Sequence, residues 1–153
     1  MIKPFMIKSH YKKYQKSRAM DERIVEFITK MHIFSLGVVC DEQPYLCSCF
    51  YAYDEINNSL IFASDDSSKH IKAIKKQPKV AINIALDTKI VGIIKGVQAT
   101  GAAREATNKN VYFKRFPYAL ALNPKLYEIK LEWIKYTDNA LGFGTKLTWS
   151  LGE

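Results

Sequence analysis

The chain has 153 residues and a net charge of +8, and it is 48% hydrophobic and 25% charged; this suits one domain that needs no disulfide or metal to hold its core. No apolar run reaches the roughly 18 residues of a membrane span, so a soluble protein is expected. Cys40, Cys47 and Cys49 are odd in number and contain no C-x-x-C pair, which indicates neither a disulfide framework nor a zinc knuckle and suits a reducing, cytoplasmic compartment.

Six positive charges, on Lys3, Lys8, Lys12, Lys13, Lys16 and Arg18, precede the first acid and leave +2 for the remainder. Residues 1–19 therefore read as a basic arm and 20–153 as a single domain. The arm lacks the apolar stretch of a secretory signal. It is either a solvated extension or a contact for nucleic acid or a membrane surface, and its separation from the domain argues against a nucleic-acid partner for the fold itself.

A first helix is expected over 20–32, where Ile24, Phe27, Ile28 and Met31 recur at helical spacing behind Asp21 and Glu22. Five strands follow at 33–40, 45–54, 60–64, 79–86 and 90–100, each rich in β-branched and aromatic residues. Asp41-Glu42-Gln43-Pro44 and Asn57-Asn58 supply turn chemistry between them. A half-exposed helix over 67–77 ends at Pro78, and a third helix is expected over 108–120. Two last strands, 126–136 and 143–150, flank Thr137-Asp138-Asn139 and Gly142-Phe143-Gly144. Many short strands with few helices predict an α+β protein built on a six- to seven-stranded antiparallel barrel, since closure removes exposed edges.

Chemistry concentrates where the third strand enters the second helix, at Ser64-Asp65-Asp66-Ser67-Ser68-Lys69-His70. Free backbone N–H groups and the positive end of the helix dipole converge at such a junction. Ser64, Ser68, Lys69 and His70 add donors and charge suited to a phosphate monoester. The same residues also make an ordinary helix cap, and Asp65 and Asp66 would repel an anion unless they point away. In the fourth strand Val80, Ile82, Ile84 and Leu86 alternate with Ala81, Asn83, Ala85 and Asp87; the small face leaves room for a flat ring or packs on another strand or a second subunit. Lys95 and Gln98 are either ligand contacts or the exposed side of their strand. Cys47 and Cys49 share a strand face as small apolar residues. His10, His32 and His70 show no metal-ligand spacing, so no metal is expected.

The junction resembles the pyridoxamine phosphate oxidase-related FMN-binding split barrels, whose pattern runs T-x-x-x-S-R-K, a short helix, then N-P-R-V into a strand. Ser64, Ser68, Lys69, His70, Pro78, Lys79 and Val80 match it without a gap, His70 standing for a lysine. Tyr127 to Gly144, with Arg115-Phe116-Pro117, is similar to one branch, the YhbP-like proteins. The resemblance covers about 20–149. It implies a flavin mononucleotide (FMN) phosphate and ribityl chain held by Ser64, Ser68, Lys69 and His70, and a homodimer with flavin sites at the subunit interface.

The cofactor contacts expected on this basis are Ser48, Cys49, Phe50, Ala63, Ser64, Ser68, Lys69, His70, Lys95, Gln98, Thr137, Asp138, Asn139 and Lys146. Two departures bear on function. Asn139 to Lys146 replaces the arginine- and histidine-bearing motif with which true pyridoxamine phosphate oxidases hold substrate, which argues against that activity. The second strand shows Leu46 and Tyr51 near the family's arginine and lysine. The expected function is a flavin-dependent oxidoreductase with NAD(P)H among its candidate electron donors and no identifiable catalytic side chain. The alternatives are a flavin or haem carrier without turnover, and nucleic-acid contact through the arm.

Overall fold

Asp21 starts the first helix: its carboxylate accepts the Arg23 N–H at 2.9 Å and pairs with the Arg23 guanidinium at 2.8 Å. The helix, α1 (Glu22–Lys30), then buries Ile24, Phe27 and Ile28, one apolar stripe at helical spacing. The computed structural model describes residues 19–153, and all of the arm expected over 1–19 except Ala19 lies outside them. The remaining elements are β1 (Ile33–Cys40), β2 (Gln43–Asp54), β3 (Ser59–Ala63), α2 (Lys69–Lys76), β4 (Lys79–Ala85), β5 (Lys95–Glu105), α3 (Lys109–Arg115), α4 (Ala119–Leu122), β6 (Leu126–Asp138) and β7 (Lys146–Ser150).

The strands form one antiparallel sheet in the order β3-β2-β1-β4-β5-β6-β7, and an additional β3–β6 pairing closes it into a barrel. The thirteen residues of β6 make the split possible. Its first part, through Lys130, pairs with β3, while Trp133 to Thr137 pairs with β7. The barrel interior is filled by alternate residues of every strand, including Phe34 and Leu36 of β1, Ile82 and Ile84 of β4, and Ile129 and Leu131 of β6. Phe34 packs edge-on against Phe62 with ring centroids 5.5 Å apart. Leu60 and Phe62 face this interior, whereas Ile61 joins a second cluster with Ala52, Tyr112, Phe116 and Leu126. Burial on both faces is why β3 reads as a continuous apolar run.

Several boundaries differ from expectation: β2 takes in Gln43 and Pro44, expected as turn, and β5 runs past Thr100 to Glu105. Residues 90–94 are not strand: Thr88 Oγ1 accepts the Ile90 N–H at 3.1 Å and Val91–Ile93 forms a 3-10 turn, so β5 begins at Lys95. The helix expected over 108–120 is split into α3 and α4 because Pro117 has no N–H to continue it. Gly142 and Gly144 take φ of +134° and +76°, values that favour glycine, and delay β7 to Lys146. No helix among the described residues is long and apolar enough to cross a membrane.

One buried polar group pins the β2–β3 turn. The Asp54 side chain accepts the Asn57 N–H (3.1 Å), Asn57 Nδ2 (2.7 Å) and Asn108 Nδ2 (3.0 Å), tying the turn to the start of α3. Burial raises the pKa of this carboxyl, but the donors outweigh that effect and hold it below the usual carboxylate range. Asp54→Ala is expected to lower stability by about 2 kcal/mol, read from the urea midpoint. Because the folded pKa is lowered, the carboxylate's contribution is present above the unfolded value and is lost as pH falls. The stability gap between wild type and Asp54→Asn should therefore close below about pH 4.

Candidate phosphate and cofactor site

Ser64 is the first residue beyond β3, and its N–H donates to Lys125 O at 3.1 Å. Its hydroxyl therefore stands where the chain leaves the sheet. Ser64 Oγ lies 2.7 Å from His70 Nε2 and 3.1 Å from Ser68 Oγ, and Ser68 Oγ lies 3.4 Å from His70 Nε2. Ser68 occupies the cap position of α2 but makes no side-chain bond to a helix N–H; its hydroxyl donates to Asp65 O at 2.7 Å. The two serines and the histidine thus converge on each other instead of capping the helix.

Both acids of the turn are engaged elsewhere. Asp65 accepts the Ser67 N–H at 2.7 Å and the Ser67 hydroxyl. Asp66 accepts Lys125 Nζ at 2.7 Å, Lys75 Nζ at 3.3 Å and the Tyr127 hydroxyl. Hydrogen bonds from Ser67 and from Lys125 hold the two carboxyls below their usual range. The Asp66 charge is thereby offset by two lysines, and the Asp65 carboxylate is turned to Ser67 instead of to Ser64 and Ser68. Burial holds the His70 pKa below its ordinary value, which favours the neutral ring with one N–H and one lone pair. Lys69 is not part of the cluster: its Nζ sits 4.7 Å over the Tyr45 ring.

The other expected contacts fall into two groups, with Ala63 apart. Ser48 and Phe50 are exposed and alternate with half-buried Cys47 and Cys49, so Ser48 and Phe50 lie on one face of β2 and Cys49 on the other. Across the sheet, Ser48 pairs with Ser35, Ser35 with Asn83, Asn83 with Gln98, and Gln98 with Lys135. This makes a polar row over five strands. The adjoining row runs Leu46, Gly37, Ala81, Thr100 and Trp133. Leu46 and Phe50 keep 71% and 56% of their surface exposed, leaving an apolar rim beside a floor of small residues. The reading of a small β4 face holds, and that face includes Gln98.

A second group lies at the far end of β6. Thr137 pairs with Gly96 and Lys146. Lys95 pairs with Asp138, Nζ to carboxylate 3.6 Å, beside a cavity of about 470 Å³ under α1. The Asn139 side chain serves the turn: Nδ2 donates to Val91 O at 2.8 Å and Oδ1 accepts the Gly144 N–H at 3.1 Å. Asp138 accepts the Tyr136 hydroxyl and the Ala140 N–H. Ser64 adjoins Leu126 at the start of β6 through the Ala63–Leu126 pair, while Asp138 ends the strand. Twelve strand steps separate them, roughly 40 Å of path. Within one chain these two groups are not brought together. Ala63 itself packs against the second apolar cluster.

A third grouping is one that sequence reasoning missed. The ligand atoms of Cys47, Cys49 and His70 all lie within 4.8 Å of one another. The only sequence signal was the i, i+2 placement of the thiols on one strand face; the approach of His70 depends on how α2 docks.

A UPF0306 protein of Campylobacter jejuni is 40% identical over 131 residues, covering 84% of this chain and 96% of its own. The chain belongs to the UPF0306 family. No family model matches the chain. Among solved structures, the UPF0306 chain is similar to an FAD-binding protein from Mesorhizobium loti (TM-score 0.59, 19% identity, 75% of this chain and 91% of that one). It is also similar to a heme binding protein from Mycobacterium smegmatis (TM-score 0.64, 12% identity, 81% of this chain and 55% of that one). At these identities the likeness establishes the fold alone, a split barrel with flanking helices.

Proposed function

We propose that this UPF0306 protein, as a member of the YhbP-like branch, binds FMN as a homodimer and serves as a flavin-dependent oxidoreductase. The observation that carries this reading is the convergence of Ser64 Oγ, Ser68 Oγ and His70 Nε2 within 2.7–3.4 Å of each other while Asp65 and Asp66 are engaged elsewhere. A donor set of that kind fits a phosphate monoester at a helix N-terminus. The small outward face around Gly37, Ala81 and Ser35, with Ser48, Gln98 and Phe50 at its edges, is where a flat ring would lie; it is the face of β2 opposite Cys47 and Cys49, so a flavin held at His70 would reach it around the edge of β2 that β3 leaves unpaired at 43–50. Thr137 and Lys146 belong to the opposite end of β6, so a single ligand meets both groups only if a second copy supplies one of them. The exposed Leu46 and Phe50 suit burial in such a pairing.

Bound flavin supplies hydride and electron transfer. The protein's own contribution is to hold the phosphate, orient the ring and exclude water at the subunit junction. The fold likeness to the heme binding protein, together with the burial of His70 that favours its neutral ring, supports haem as the competing ligand. The absorption spectrum of the purified protein, alone and with added FMN or haem, separates the two. Oxidation of NAD(P)H under air by the FMN-loaded protein then separates an enzyme from a carrier; an FMN-loaded protein inert to both nicotinamides would overturn the NAD(P)H-dependent reading.

The lowered pKa of His70 gives this reading a pH signature. The ring is packed against the Ser64 and Ser68 hydroxyls and the Cys47 and Cys49 thiols, and Lys69 is the cation next to it in sequence. A phosphate arriving beside the imidazole favours its charged form and raises its pKa. The resulting attraction is present at low pH and is lost as pH rises through the bound-state value. FMN affinity should therefore increase as pH falls from 8 to 6, and His70→Gln should flatten that slope, as measured by flavin fluorescence titration.

A further inference from the structure

His70, one of the three groups of the phosphate cluster, also meets two thiols, so the UPF0306 chain holds a second ligand-competent set that shares this imidazole. Cys47 and Cys49 lie two residues apart on β2, on the same side as Tyr45, and pair with Leu36 and Phe34 of β1. His70, in the first turn of α2, brings its imidazole to them, so that two sulfurs and a ring nitrogen lie within 4.8 Å of one another. All three residues are half-buried.

We propose that Cys47, Cys49 and His70 form a binding site for a thiophilic cation of the zinc class, with the fourth coordination position open.

The geometry needs little adjustment. Sulfurs on one tetrahedral zinc stand roughly 3.8 Å apart, given Zn–S bonds near 2.3 Å, so side-chain rotations that draw the three atoms together by about 1 Å complete the set. Strand alternation places both thiols on one face without strain. With Nε2 bonded to the Ser64 hydroxyl at 2.7 Å, Nδ1 is the nitrogen left for the metal, and Ser64 would then orient the ring as an outer-shell partner does. Burial lowers the His70 pKa and so favours the neutral imidazole, the form that ligates. The thiols are not ionised in advance: burial raises the Cys47 pKa, and burial with the neighbouring Cys47 thiol pushes Cys49 up to about 12. Two thiol protons therefore leave to solvent as two S–metal bonds form, with no change of oxidation state. The same shifts argue against a free nucleophilic thiolate here. Soft sulfur ligands select zinc-class cations over magnesium or calcium. Two cysteines and one histidine with a vacant fourth position is also a ligand set that leaves a metal open to water or substrate.

This inference does not rest on flavin binding, and its probe is the metal alone. Co²⁺ is titrated into the full chain, kept reduced with a phosphine, and the near-ultraviolet thiolate-to-cobalt absorption is followed. The expected result is a band that saturates at one Co²⁺ per chain and is displaced by Zn²⁺. Cys40→Ser should leave it intact, since Cys40 lies at the β1–β2 turn. Cys47→Ser and Cys49→Ser should each diminish it, and His70→Gln should weaken affinity more than about tenfold, because loss of even an outer-shell partner costs that much. Circular dichroism checks that each variant is folded. Absence of a thiolate band in the wild-type protein would overturn the proposal, as would a band that survives the double change Cys47→Ser/Cys49→Ser.

Discussion

Gly101→Ala is expected to destabilise the protein by about 3 kcal/mol, with a fall in Tm on the order of 10 °C. The β5–β6 register shifts at this point: Thr100 pairs with Trp133 but Gly101 with Leu131, leaving Glu132 as the extra residue of a bulge. A methyl group at Gly101 would sit 2.3 Å from Lys130 O and 2.8 Å from Ile129 Cγ2. The first of these is backbone held in two ladders, because Lys130 also pairs with Ser59 of β3. Relief therefore requires moving β6 where it closes the barrel. Gly92→Ala is the control, since nothing lies within 4 Å of a Cβ there. Thermal unfolding of the two variants should separate them clearly, and equal midpoints would mean that the bulge is not packed as described.

The second large effect concerns the ligand. Ser64→Ala/His70→Ala removes two of the three converging side chains, and each hydrogen bond to a charged phosphate is worth about 1.5–3 kcal/mol. FMN affinity should fall by a factor of about 100 or more, with little loss of fold, because neither side chain belongs to the apolar core. Lys69→Ala should have a smaller effect, less than about tenfold by the same scale, because its ammonium rests on Tyr45 instead of the hydroxyl cluster. Asp66→Asn tests the other side of the argument. The Asp66 charge is already offset by Lys75 and Lys125 and bonded by Tyr127, so removing it should not improve FMN binding.

Much of the fold was legible because strands and helices announce themselves through periodicity. The alternation of Val80, Ile82 and Ile84 is the core face of β4, and Ile24, Phe27 and Ile28 are the buried stripe of α1. The failures occurred where local chemistry overrode apolar content. The run of isoleucine and valine at 90–94 resembles a strand, yet it is mostly exposed and curls into a turn held by Thr88 and Asn139. For the site, the Ser64–Ser68–His70 convergence followed from spacing within one strand-to-helix junction. The relation of Ser64 to Thr137 did not, because it depends on how far β6 runs. Nor could the approach of His70 to Cys47 and Cys49 be read, since that contact joins β2 to α2 through packing.

The central claim is that the junction from Ser64 to His70 holds a phosphate. It is tested most directly by titrating the protein with FMN and, in parallel, with riboflavin, which shares the ring and ribityl chain but lacks the phosphate. Flavin fluorescence reports both. FMN should bind at one per chain and at least about tenfold tighter than riboflavin, and the difference should vanish in Ser64→Ala/His70→Ala. Equal affinities for the two flavins in the wild-type protein would contradict the account.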